Sequence, residues 1–499
     1  MTVDENTPVL VGVGALNQCE EDPSLALEAV GLMEGALRRA AADAGTDELL
    51  RRASSIRVTN GIWDYPDPGR ILAERVGATR ARTDLVEVGI LQTTLLGDAA
   101  RAIAAGEEKV VVVVGGEAKF RSLRAAITDT QLENTSQPQG TKPDRFLEPA
   151  KEILNPLELE LGLGMPVNQY ALLESAFRHA TGESVEENRR ALGCLYAGMN
   201  KVAVANEDAW NRTAVRAEEI SGVSANNRML AFPYTKRQNS QWNVDQAACL
   251  ILTSLQVARE LGIGEDRFVF PLAVAESNHM VSLVERGALD RSFGFHHAGR
   301  RALAAAGLAI EEVAYLELYS CFPVAVRAQM RELGIPAGRR ITETGGMAFA
   351  GGPLNNFVYQ ALVKMVQTLR ADPGSTGLVS AVSGMLTKQG VSLWSSVAPD
   401  TPFAFDDVSE EVAAEMPVHV VVRDYKGPAK IAAATVQYVG GDAVATVLVC
   451  DLPGGGRTLI RSTDEALMRR VTEAEVCGLS VEISPAGPVL AAAPAASGA

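Results

Sequence analysis

The sequence predicts an α/β protein: a duplicated, layered α/β/α/β/α core followed by a small C-terminal β-domain, barrel-like and similar to an OB domain. Three observations predict it. Short apolar runs bounded by glycine, among them Val9–Val13 and Val110–Val114, have the composition of strands buried on both faces. The order strand, helix ending in an alanine-rich AG, strand, glycine turn, long helix, apolar strand occurs twice, which predicts two βα halves packed back to back. Beyond about Pro402 the texture changes to short alternating runs separated by Gly and Pro turns.

In the first half, Val9–Val13 feeds a turn at Gly12 and Gly14. A helix is expected over Ser24–Ala44, with Ser24 as N-cap and Gly45 as its stop, because Leu25, Ala29, Leu32, Ala36 and Leu37 recur at helical spacing. Ile56–Thr59 and Leu85–Val88 are strand candidates, and Ile71–Val76 is a short helix. Gly89 opens a long helical pattern through Leu91, Leu95, Ala99 and Ile103, and Val110–Val114, read as a parallel strand, turns at Gly115 and Gly116. Val244–Leu252 returns to the core. The second half has strands at Phe268–Ala275, Val313–Leu318 and Gly377–Val382, a helix over Ser292–Gly307, and another helix opened by Pro353.

Residues 1–118 with 235–270 form one half on this reading, and residues 271–400 the other. Residues 119–234 interrupt the order with proline-bearing polar stretches and amphipathic helices; so long an excursion reads as a lid or cap, or as a structural insertion. The β-domain spans 401–484, with strands at Val418–Arg423, Ala429–Val439, Val444–Asp451, Thr458–Arg461 and Leu479–Ile483 and a helix at Asp464–Val471. The Ala/Pro/Gly-rich residues 485–499 are expected to be disordered.

Net charge is −15, which disfavours a general polyanion binder, and residues 402–484 lack a dense basic and aromatic surface for nucleic acid. The six cysteines, at 19, 194, 249, 321, 450 and 477, have neither metal-ligand spacing nor a CxxC pair, so no metal site is expected. They read as reduced thiols, the N-terminus lacks the pattern of a secretory signal, and no apolar run is long enough to span a bilayer. These points together predict a cytoplasmic protein.

The most constrained stretch is Gly345–Phe357, GGMAFAGGPLNNF. It crowds glycines, Pro353 and the loop-forming Asn355 and Asn356 between two regular segments. It reads as a pocket floor, with Gly351, Gly352, Asn355 and Asn356 at the ligand; a ligand-free strand-to-helix turn fits the same residues. Lys236 and Arg237, in YTKRQNSQWN, form a basic patch able to hold phosphates, or a solvated loop. His279 on a loop, and at most one of the adjacent His296 and His297, are weaker candidates.

DAARAIAAGEEKVVVVVGGE, GGMAFAGGPLNN and the duplicated halves resemble the thiolase superfamily, closest to its sterol-carrier-type and thiolase-like, acetyl-CoA acetyltransferase-like branches. The likeness covers roughly residues 8–395, and the appended domain is similar to the additional C-terminal domain of thiolase-like protein type 1. The resemblance implies an acyl-CoA partner, with coenzyme A as part of the substrate and no separate cofactor. It also implies a homodimer through the core, or a monomer where the extra domain covers that face.

The family's nucleophilic cysteine falls on Gly89 or Ile90, and the histidine of its Gly-His-Pro motif on Gly352. The acid/base cysteine falls in VSGML, where Ser383 is the nearest polar side chain. The His-Asp-Cys-Phe motif corresponds to Tyr319-Ser320-Cys321-Phe322, keeping the last two residues. The resemblance therefore implies a protein that binds acyl-CoA thioesters without the covalent thiolase route. Tyr319, Cys321 and Ser383 are its acid/base candidates for altered acyl-transfer or retro-aldol chemistry, and a non-catalytic binding or scaffold protein with a partner at the C-terminal domain is the alternative.

Overall fold

The structure, a computed structural model, describes residues 4–490. The first sheet contains β1 (Pro8–Gln18), β2 (Ser55–Thr59), β3 (Arg82–Val86), β4 (Val110–Ala118), β5 (Arg145–Leu147) and β8 (Asp245–Ser254), in the order β1-β8-β4-β2-β3-β5. The short β6 (Met229–Ala231) and β7 (Tyr234–Thr235) pair with each other and lie outside this sheet. The second sheet contains β9 (Phe270–Ser277), β10 (Tyr315–Glu317), β11 (Thr376–Ser383), β12 (Lys388–Ser395) and β13 (Ala404–Asp407), in the order β10-β11-β12-β9-β13.

The duplication is plain in the pairing. β1–β8 and β8–β4 are antiparallel and β4–β2 is parallel; β9–β12, β12–β11 and β11–β10 follow the same pattern. Val110–Val114 is thus parallel on one side only, since β8 runs against it. Helix α1 (Ala29–Ala44) covers the outer face of the first sheet, and α4 (Phe293–Ala306) covers the second. Between the sheets lie α2 (Gln92–Ala104) and α5 (Phe357–Ala371), each touching strands of both. Their buried residues, including Leu95, Ala99 and Ile103 on one and Val358, Leu362 and Val366 on the other, explain why these helices are apolar over most of their circumference. The result is the α/β/α/β/α stack.

Between β5 and β6, α3 (Pro166–Thr181) packs against the C-terminal sheet. It packs on β14 (Gly427–Val439), which lies between β15 (Asp442–Asp451) and β17 (Ser480–Ser484) in a sheet of order β16-β15-β14-β17-β18, with β16 at Arg457–Ser462 and β18 at Gly487–Leu490; β6 also adds to β14. The Ser175 hydroxyl accepts the Ala434 N–H at 2.9 Å, and Arg178 on the same helix pairs with Glu475 at 2.9 Å.

Several elements differ from expectation. Ser24 caps no helix: its hydroxyl is spent on Asp22 in a turn, and α1 begins five residues later behind Glu28. Pro353 opens no helix, because Leu354 sits at φ 38° and the chain becomes helical only at Phe357. Val418–Arg423 forms isolated bridges to Arg286 and to Arg457 at the start of β16 rather than a strand. The helix Pro323–Leu333 and strand β12 were not foreseen. Within the stretch expected to be disordered, Gly487–Leu490 pairs with Ser480–Ser484, and residues 491–499 lie outside the described residues.

Candidate functional site

The N-termini of the two central helices converge, and the loop Gly345–Asn356 runs between them and the rest of the core. Glu317 at the end of β10 holds the root of this loop. Its carboxylate accepts the Glu343 and Thr344 N–H groups at 2.7 and 2.8 Å and the Thr342 and Thr344 hydroxyls at 2.9 Å each. Its burial raises the carboxyl pKa to about 7. Further along, the Gly352 N–H donates to the Gln241 carbonyl at 2.8 Å, and the Ser240 N–H donates to the Cys321 carbonyl at 3.1 Å. Ser240 thereby straps the loop to the Tyr319–Phe322 motif. A Cβ on Gly352 would overlap Ser240 Oγ and lie 3.3 Å from Met347 Cε, so a side chain here would require the Ser240 hydroxyl to move.

Asn355 bridges the helix ends, accepting from Gln92 Nε2 at 2.9 Å and donating to the Asn60 carbonyl at 3.3 Å. Asn356 is buried and, among the described residues, both its amide atoms lack a hydrogen-bond partner; Gly351 packs against Gln246. All four residues, Gly351, Gly352, Asn355 and Asn356, are buried.

Tyr319 and Cys321 are 8% and 7% exposed. The Tyr319 main chain is fixed on both sides, its N–H donating to Ser380 Oγ and its carbonyl accepting from Gln329 Nε2, both at 2.8 Å. Burial pushes the Tyr319 hydroxyl well above the usual tyrosine range and the Cys321 thiol up to about 12. The thiol faces the hydroxyl of Tyr170 on α3, whose ring stacks on Phe322 at 4.3 Å. Both groups remain protonated near neutrality, which suits them to donate to a carbonyl oxygen rather than to attack one.

Gly89 has φ 112°, and a Cβ there would meet Pro149 Cγ at 3.0 Å. Helix α2 starts three residues later, so Gly89 belongs to the loop before it. Ser383 ends β11 directly opposite Lys388, which begins β12. Gly384, Met385 and Leu386, between them, have φ of 62°, 56° and 64°. For the two non-glycines this left-handed run is unfavourable by about 1 kcal/mol each. Arg286 holds it, donating to the Met385 carbonyl at 2.7 Å and the Gly384 carbonyl at 3.4 Å. Burial lowers the Arg286 pKa to about 10. Lys388 is buried too, with Nζ 2.5 Å from the Gly89 carbonyl, and desolvation holds its pKa below the usual lysine value.

Lys388 thus links Gly89 to the strand end at Ser383, and the Ser240–Gln241 segment links Cys321 to Gly352. Lys236 and Arg237 join neither group. Arg237 donates to the Glu219 carbonyl, and Lys236 is exposed. His297 pairs with Glu415 on the outer face of α4, and His279 Nε2 is buried without a partner. Sequence reasoning missed Ser240, Tyr170, Arg286 and Lys388. The one available signal was a lysine heading Lys388–Ser395, whose only other large polar residue is Gln389.

These features define a protein of thiolase fold with an appended antiparallel domain. Over 99% of its length and all of the other chain, it is similar to the monomeric SCP2-thiolase-like protein type 1 of Mycobacterium smegmatis, at 26% identity and a TM-score of 0.81. The Ltp2–ChsH2(DUF35) aldolase (19% identity, 78% of this chain and 98% of that one, TM-score 0.58) shares the fold. So does the Acat5 thiolase of Ascaris suum in complex with coenzyme A (15%, 78% and 100%, TM-score 0.57). Neither a protein-family model nor a curated protein sequence matches the chain.

Proposed function

We propose that this chain binds acyl-CoA thioesters where α2 and α5 converge, and that its chemistry, if any carbon–carbon or acyl transfer step is run there, is non-covalent. The observation that carries this reading is the contact of Ser240 with Gly352, together with Gly89 ahead of α2. The place for an activating histidine is filled by a hydroxyl from another segment, and the place for a nucleophile has no side chain. Tyr319 and Cys321 act as proton donors to the thioester carbonyl in retro-aldol or acyl-transfer chemistry, with Ser383 as the third acid/base candidate. Coenzyme A enters as part of the substrate, a reading supported by the Ascaris thiolase having been solved in complex with coenzyme A, and no further cofactor is invoked. A thiolysis assay with acetoacetyl-CoA is expected to show no turnover, while calorimetry with acetyl-CoA shows binding; turnover at ordinary thiolase rates would refute the reading.

A non-catalytic scaffold role is the second reading, favoured by the burial of Tyr319, Cys321, Asn355 and Asn356 and by the firm join of the C-terminal domain to α3. Absence of heat on acyl-CoA titration would select it. The protein works as a monomer on our reading, because β5 covers the edge of the first sheet beside β3 and the mycobacterial relative is monomeric; light scattering tests this. No helix among the described residues is long and apolar enough to cross a membrane, and the six unpaired cysteines suit the cytoplasm.

A further inference from the structure

Lys388 has a role that the thioester-binding reading leaves open. It is 3% exposed, and its side chain leaves the sheet on the face that Ser383 shares as its direct cross-strand partner. Two residues on, a Cβ at Gly390 would overlap the Thr93 hydroxyl, so this face of β12 looks onto the first turn of α2.

An ammonium group carries three N–H donors. Among the described residues Lys388 uses one, toward the Gly89 carbonyl, and it has no carboxylate within 4.0 Å. The nearest acids are committed elsewhere. Glu276 accepts from Thr93 at 2.9 Å, from Thr94 at 2.8 Å and from Asn278 at 3.0 Å, and Asp407 accepts from Asn278 at 3.2 Å and from Ser409 at its N–H and hydroxyl. A buried charge with two unused donors is costly unless another acceptor arrives. The unused ammonium donors suit an oxygen acceptor, most of all one bearing negative charge, while the first turn of α2 already faces the Glu276 carboxylate through Thr93 and Thr94.

We propose that Lys388 Nζ binds the acyl carbonyl oxygen of the CoA thioester, supplying the oxyanion-stabilising donor at the Gly89 end of the site. This rests on the acyl-CoA reading and adds to it a residue and an atom. No bond is made or broken by the lysine: it donates a hydrogen bond to the oxygen, which strengthens as negative charge develops there.

The test compares acetyl-CoA with S-ethyl-CoA, a thioether that lacks the carbonyl oxygen, by calorimetry. The wild-type protein is expected to bind acetyl-CoA about tenfold more tightly, the size of a charge-assisted hydrogen bond. Lys388→Met should reduce acetyl-CoA to the affinity of S-ethyl-CoA while leaving the latter unchanged. Should that variant fail to fold, the Lys388 Nζ resonance of 15N-lysine-labelled wild-type protein gives the same answer: acetyl-CoA shifts it and S-ethyl-CoA does not. Equal wild-type affinities, or the same Lys388 Nζ resonance with both compounds, overturns the lysine assignment while the acyl-CoA reading stands. If neither compound binds, both fall.

Discussion

The hydroxyl of Ser240 occupies the space into which a side chain on Gly352 would project. Two segments more than a hundred residues apart meet at that point, tied by hydrogen bonds from Gly352 to the Gln241 carbonyl and from Gln241 to the Met347 carbonyl. Close packing there makes the glycine a requirement of the neighbour as much as of the loop.

Restoring a histidine alone should therefore be harmful. Gly352→His is expected to destabilise the protein by about 1–3 kcal/mol through overpacking. Adding Ser240→Gly should recover part of the loss. Urea unfolding of the two single variants and the double variant measures the coupling, and simple additivity would show that the contact is not what limits the site.

Glu317 predicts a pH dependence. Its pKa is about 7 in the folded chain and about 4.3 for an ordinary glutamate, so between these values the folded state keeps a proton that the unfolded state has released. Its contribution to stability is therefore fully present below about pH 4.3 and lost as pH rises through 7, on the order of 3 kcal/mol in total. Glu317→Gln removes the titration while disturbing the loop at every pH. Between pH 5 and 8 the wild-type protein should lose more unfolding free energy than the variant; parallel profiles would rule this out.

The thiols offer a direct check of burial. Cys19 and Cys194 are exposed and the other four cysteines are buried, so iodoacetamide at pH 8 should modify two residues before unfolding and six after it. Cys19 should react slowly for an exposed thiol, since partial burial and the charges of Asp245 and Glu21 hold it protonated. Labelling of Cys321 in the native protein, read by peptide mass, would contradict its packing against Tyr170.

The join between α3 and the C-terminal domain rests partly on Arg178, which is 1% exposed, opposite Glu475. Arg178→Met leaves that partly exposed carboxylate only the Cys477 N–H and is expected to cost about 1–2 kcal/mol. Denaturant unfolding followed by tryptophan fluorescence would register the loss as a lower midpoint.

The duplicated halves were legible because a parallel or central strand is an unbroken apolar run, and because the glycines that turn it recur in the same order. Val110–Val114, the alternating runs of the C-terminal domain and the crowded Gly345–Phe357 all show their place in the chain itself. Boundaries were less legible where a side chain had a local competitor, as Ser24 did in Asp22, or where a backbone angle such as that of Leu354 delayed a helix.

The sequence by itself determined the class of fold, the division into core and added domain, and which positions lack a cysteine or histidine. Those are properties of composition and local order. Only the tertiary structure decided that Ser240 fills the space at Gly352, that Tyr170 meets Cys321, and that Lys388 reaches the Gly89 carbonyl across 299 residues of chain. Contacts of that kind depend on how two sheets and the helices between them bring distant segments together, and no periodicity along the chain records them.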